Sequence, residues 1–145
     1  MIRRARRVDL PELVALLADD PLGAGREVPD LWPYEDAFEA IDADPNQVLV
    51  CAEDAGEVVG TLQLTVVPGL SRGGMPRGQI EAVRVRADRR GHGLGRTLVE
   101  WAVGEARRRG CGLVQLTTDR SRRDALGFYT RLGFVDSHHG LKLGL

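Results

Sequence analysis

Cysteine, lysine and aromatic residues are scarce in this chain: two Cys, one Lys (Lys142) and 5% Phe, Trp and Tyr among 145 residues. Cys51 and Cys111 lie in apolar or Gly-rich surroundings without pairing or metal-ligand spacing. That predicts reduced, buried thiols and excludes a disulfide scaffold. No apolar run approaches the ~20 residues needed to cross a bilayer. The opening stretch MIRRARRVDLPELVALL interrupts its apolar positions with Asp9, Pro11 and Glu12, so no secretory core is expected. With 43% hydrophobic and 28% charged residues, these absences predict one globular domain over residues 1–145. It is expected in the cytoplasm, with no membrane partner and a core large enough to fold without metal.

Charge of one sign is also missing overall, since the net charge is −1. The balance conceals a separation. Residues 9–57 carry fourteen acidic side chains and a single basic one, Arg26. Residues 84–123 carry eleven arginines against Asp88, Glu100, Glu105 and Asp119. Clustering by sign predicts a partner or substrate whose own charges are separated.

Apolar periodicity gives the order of elements. Ile2 to Arg6 reads as a short strand, and Asp9 caps a helix bearing Leu13, Leu16 and Leu17. A Gly- and Pro-rich loop from Asp20 to Pro33 leads into a second helix, Tyr34 to Ala43. Gln47 to Glu53 and Glu57 to Val67 form an antiparallel hairpin about Asp54-Ala55-Gly56, and a flexible loop covers Pro68 to Gly78. Gln79 to Val85 is a further strand, and Gly91 to Arg109 a long helix ended by Gly110. Leu113 to Thr118 is a strand and Asp124 to Leu132 a short helix. Two short strands are expected around Val135 and Leu141 to Leu143. The result is an α/β fold with a mixed central β-sheet flanked by helices.

The strongest local signal is VRVRADRRGHGLGRTLVEWA, a strand passing through a basic, Gly-rich turn into an amphipathic helix. Gly91, Gly93 and Gly95 let backbone N–H groups converge, and the helix N-terminus adds unpaired donors and a positive dipole end. Such a turn cradles phosphate, here with Arg89, Arg90 and Arg96 beside it. A Walker A loop is excluded because Gly95 is followed by Arg96-Thr97, without lysine. The dinucleotide fingerprint fails as well, because Arg96 stands where its third glycine belongs.

Arg90-Gly91-His92-Gly93-Leu94-Gly95 resembles the Arg/Gln-x-x-Gly-x-Gly/Ala acyl-CoA loop of the GNAT N-acetyltransferase superfamily. Downstream, Ala125-Leu126-Gly127-Phe128-Tyr129-Thr130-Arg131-Leu132-Gly133-Phe134 resembles that family's Ala-x-x-Phe-Tyr-x-x-Leu-Gly-Phe. The order of elements over essentially the whole chain is similar too. Two positions depart from the family pattern: Ala87 stands where proline is frequent, and Arg122 where asparagine is frequent.

The resemblance implies an acetyl-CoA-dependent N-acetyltransferase of GNAT-like fold, moving the acetyl group directly to an amine in a ternary complex. Acetyl-CoA would be the co-substrate, with no metal, and a homodimer is common among relatives. The implied CoA contacts are Val83, Arg84 and Val85, whose backbone N–H groups face the thioester oxygen, and the turn Arg90, Gly91, His92, Gly93, Leu94, Gly95, Arg96 and Thr97. Phe128 belongs to the same set, and Arg122 can contact phosphate in place of asparagine. Tyr129 is the implied general acid for the departing thiolate, since a phenol of pKa ~10 is protonated at neutral pH.

Glu81 is the candidate general base, and strand alternation places it on one face with Val83 and Val85. His138 or His139 are alternatives. Cys51 and Cys111 lack an adjacent activator and are not convincing nucleophiles. The amine is expected near Asp20 to Asp36 and Ser71 to Gly78. There Trp32 and Tyr34 offer aromatic faces, and Glu27, Asp30, Glu35 and Asp36 suit a cation. Two rival readings remain: an acyl-CoA sensor that has lost catalysis, and an arginine-rich nucleic-acid module. The second lacks interleaved aromatics, because Trp101 is the only aromatic between Arg84 and Arg123, so no nucleic-acid partner is expected.

Overall fold

Val48, Val50, Ala52, Leu62 and Leu64 alternate with residues of the opposite face, so they make one face of the hairpin apolar and in need of a cover. The computed structural model describes all 145 residues. Its sheet runs β1 (Ile2–Arg4), β2 (Gln47–Asp54), β3 (Glu57–Val67), β4 (Arg77–Val85), β5 (Leu113–Gln115), in that spatial order. The first four are antiparallel, and β5 lies parallel to β4. The helices are α1 (Leu10–Ala18), α2 (Trp32–Ala43), the single turn α3 (Ser71–Gly74), α4 (Leu94–Arg108) and α5 (Arg123–Arg131).

Helix α4 covers one face. Leu98, Val99, Ala102 and Ala106 recur at helical spacing and meet Val48, Val50, Ala52, Leu62, Leu64 and Ile80. Helices α1 and α2 cover the other, where Leu10, Leu13, Leu16 and Phe38 pack on Cys51 and Val58. Burying each large aliphatic side chain contributes about 1.5–3 kcal/mol, so both layers stabilise the sheet. Asp9 stands at the start of α1 but makes no side-chain cap. Its carboxylate accepts from the Arg6 N–H at 2.7 Å and from two Arg3 nitrogens at 2.7 and 3.0 Å.

The charge separation in the sequence closes on itself in the fold. Asp9 and Glu53 pair with Arg3, and Glu35 and Glu39 with Arg7. Asp54 pairs with Arg89, Glu57 with Arg86 and Asp19 with Arg90.

Three expectations are corrected. Strand β5 stops at Gln115 rather than Thr118. Residues 135–145 form no strands. Phe134 is the last residue whose N–H donates to backbone, and Val135, Leu141 and Leu143 are exposed. The polar run Asp136 to Gly140 separates these apolar residues, and a three-residue β5 offers too short a ladder to recruit them. Finally, Glu81 does not share a face with Val83 and Val85.

The cause of that last correction is a bulge. Gln63 on β3 faces Glu81, and Thr61 faces Arg84, so β4 carries one extra residue across the interval. The extra residue is Ala82, held at φ +52°. It sets Glu81 and Arg84 on the face of Thr61 and Cys51, toward α1, while Val83 and Val85 pack into the α4 layer.

Candidate active site

The site is built where β4 loses its neighbour. Strand β5 pairs with β4 only at Arg77, Gly78 and Gln79, so the edge of β4 beyond Gln79 is open on that side. The Arg86 N–H donates to Val59 O on β3. Antiparallel alternation therefore aims the N–H groups of Val85 and Val83 at the open side. Their carbonyls face the same way: Arg90 Nε donates to Val85 O and Arg84 Nη1 to Val83 O, both at 2.9 Å.

The glycine turn follows at once. Gly91 and Gly93 adopt φ +78° and +85°, a region costing other L-residues ~1–2 kcal/mol, and no atom lies within 4 Å of where a Cβ would stand on either. Gly95 differs: a Cβ there would make an ordinary contact, 3.5 Å from Phe128 Cζ. Along Gly91 to Arg96 no N–H finds a backbone acceptor; the first to do so is Thr97, on Gly93 O at 3.1 Å. The Thr97 hydroxyl also donates to Gly93 O, at 3.2 Å. These converging donors fit a phosphate group.

The neighbouring arginine side chains are engaged elsewhere. Arg89 pairs with Asp54, and Arg96 with Glu100. Arg90 bridges Val85 O to Asp19 O and so ties the end of β4 to the end of α1. His92 lines a smaller cavity of about 470 Å³ with Arg89, Leu94, Thr97 and Trp101.

Tyr129 stands on α5, with its ring edge-on to Phe128 at 5.0 Å and to Phe134 at 5.7 Å. It lines an open groove of about 1340 Å³ that runs past β5 to the C-terminal segment. The groove does not contain the glycine turn; Gly95 beside Phe128 joins the two regions. Burial pushes the Tyr129 phenol above its ordinary value, against the opposing pull of Arg84 and Arg122. The proton is therefore held at neutral pH, and two cations stand ready to stabilise the phenolate.

Arg122 is directed to Asp20, donating from Nη1 and Nη2 at 2.6 and 2.8 Å. Glu81 is exposed on β4. Tyr34 Oη donates to Glu27 at 2.9 Å and accepts from the Val28 N–H at 3.0 Å, lacing the loop before α2. Trp32 and Asp30 are exposed at its end. His138 and His139 line the large groove, away from the glycine turn. Burial raises the thiols of Cys51 and Cys111, making both weaker nucleophiles. No group of three or more His, Cys, Asp and Glu side chains is placed to hold a metal ion.

Sequence reasoning did not find the Asp20–Arg122 pair or the bulge. An alanine at positive φ leaves no compositional mark, and a contact 102 positions apart leaves no local one.

The profile of the Acetyltransferase (GNAT) family matches residues 10–134. The chain is 38% identical over 109 residues to aminoalkylphosphonate N-acetyltransferase of Salmonella typhimurium, covering 75% of this chain and 70% of that protein. It is 36% identical over 95 residues to glucosamine 6-phosphate N-acetyltransferase of Trypanosoma brucei brucei, covering 66% of this chain and 63% of that one. A crystal structure described as a transcriptional regulator from Bacillus halodurans C-125 superposes with a TM-score of 0.97 at 46% identity, covering 100% of this chain and 99% of that chain.

Proposed function

The chain belongs to the Acetyltransferase (GNAT) family and is an acetyl-CoA-dependent N-acetyltransferase, and from that premise we propose that it acetylates a small-molecule amine by direct transfer in a ternary complex. Both curated relatives are named for small amines, an aminoalkylphosphonate and glucosamine 6-phosphate, which supports that acceptor class. One observation carries the reading: a turn of N–H donors without backbone acceptors lies, through Gly95 beside Phe128, next to a half-buried tyrosine that keeps its proton.

In this reading the N–H groups from Gly91 to Arg96 hold the pyrophosphate of acetyl-CoA, and the pantetheine arm lies along the open edge of β4. Val83 and Val85 direct their N–H groups toward that edge, where they stabilise negative charge developing on the thioester oxygen. Tyr129 Oη gives its proton to the sulfur as the carbon–sulfur bond breaks, and the charges of Arg84 and Arg122 stabilise the phenolate. Glu81, exposed on the α1 face of β4, takes the proton from the attacking amine directly or through water. Both thiols are raised by burial, and the carboxylate near Cys51, Asp9 at 4.0 Å, is held at about 2 by Arg3 and is a poor base, so direct transfer is preferred over an acyl-cysteine route.

The test is calorimetry with acetyl-CoA followed by a broad amine screen that reads free CoA thiol. Acetyl-CoA binding with amine-dependent thiol release is expected. Acetyl-CoA binding without release under any amine would leave a sensor. Salt-sensitive DNA binding without acetyl-CoA binding would replace the reading with a nucleic-acid module.

A further inference from the structure

Arg84 is a partly buried cation, its side chain 18% exposed, that makes a single hydrogen bond. A guanidinium has five N–H donors. Here Nη1 donates to Val83 O, Nε is buried without a partner, and Nη2 stands 3.6 Å from Asp20 Oδ2. That last distance gives an ion pair but not a hydrogen bond. Asp20 cannot readily do more, because its oxygens already accept from both Arg122 terminal nitrogens and from the Gly23 N–H at 2.9 Å. A buried N–H donor left without an acceptor is costly, so the unpartnered Nε needs a reason.

Its surroundings supply one. Arg84, Arg122 and Arg26 gather about Asp20 and Asp119, leaving one positive charge in excess. The bulge at Ala82 turns Arg84 to the same face of β4 as Glu81. That face bears a carboxylate suited to an amine, Glu81, and a guanidinium suited to an anion, Arg84. Among the acids that would favour a cationic acceptor, Glu35 is paired with Arg7 and Glu27 accepts from Tyr34 Oη.

We propose that the acceptor is an amine that also carries an anionic group, a phosphonate, phosphate ester or carboxylate, and that the Arg84 guanidinium beside Asp20 and Arg122 holds that group. The inference rests on the acetyltransferase reading and names its substrate class. Arg84 sets which amine binds, through a bidentate contact that fixes the anion and presents the nitrogen toward Glu81.

Two matched pairs of amines test it: 2-aminoethylphosphonate against ethanolamine, and glucosamine 6-phosphate against glucosamine. The charged member of at least one pair is expected to have a kcat/KM at least tenfold above its neutral twin. Arg84→Gln should bring that ratio close to one, raising acceptor KM for the charged twin alone beyond any fall in kcat common to both twins, and Arg84→Lys should restore part of it. Equal use of charged and neutral twins, or a ratio unmoved by Arg84→Gln, overturns the anion site while leaving the acetyltransferase standing. Thiol release with no amine in the broader screen overturns both.

If Arg84→Gln does not fold, ethylphosphonate as an inhibitor of the unaltered enzyme decides the matter. Competition with the amine is expected. Competition with acetyl-CoA instead would assign the guanidinium to a CoA phosphate and overturn the proposal.

Discussion

Arg122 clasps Asp20 through two parallel hydrogen bonds of 2.6 and 2.8 Å, linking the residue before α5 to the loop after α1. Asp20 also accepts from the Gly23 N–H, so the pair fixes the start of the loop that leads to α2. Arg122 and the Gly23 N–H hold the Asp20 carboxyl at about 2, and Arg3 and the Arg6 N–H do the same for Asp9.

These two carboxylates predict acid sensitivity. Each has a folded pKa below its unfolded value of ~3.9, so each adds stability above that value and loses it as pH falls toward about 2. Denaturant unfolding at pH 7, 4, 3 and 2.5 should show a steepening loss below pH 4. Asp9→Asn and Asp20→Asn should each be less stable at pH 7 and flatter across that range.

Tyr129→Phe removes the phenol and keeps the ring that packs between Phe128 and Phe134. Turnover should fall about 100-fold, in the range for loss of a general acid, while acetyl-CoA affinity changes far less. Because burial raises the phenol, wild-type kcat should show no alkaline decline below pH 9. Unchanged turnover in Tyr129→Phe would remove the acid role.

The glycines of the turn are not equivalent. Gly93→Ala forces an L-residue to φ +85° and displaces the converging N–H groups, so acetyl-CoA binding by calorimetry should weaken tenfold or more. Gly95→Ala places a methyl 3.5 Å from Phe128, an ordinary contact, and affinity should stay within about threefold.

A Glu81→Gln variant examines the base. The acid limb of the kcat/KM profile should disappear and the plateau should drop by at least tenfold. A profile of unchanged shape would transfer the role to water or another residue.

Much of this architecture was legible from apolar periodicity. The long helix, the hairpin over Gln47 to Val67 and the turn at Gly91 follow from residue types that tolerate few alternatives. Of the candidate site, the glycine turn and Tyr129 were suggested by two local motifs. Face assignment on β4 was not. Period-two reasoning assumes an unbroken strand, and nothing in Gln79 to Val85 announces the extra residue at Ala82. The opposed charge blocks were correctly seen, but their meaning was not, since arginine–carboxylate pairing across the fold consumes much of both. The leucines near the C-terminus alternate as a strand would, yet alternation alone cannot supply a neighbouring edge.

Ala82 has a consequence for how firmly β4 is held. A positive φ at alanine carries strain of ~1–2 kcal/mol, and straightening the strand would relieve it. Straightening would also slip every following residue to the opposite side, driving Arg84 into the aliphatic layer under α4 and lifting Val83 and Val85 out of it. The relaxed strand is therefore worse than the strained one. A kink that looks like local tension is locked by the register error that would follow its release.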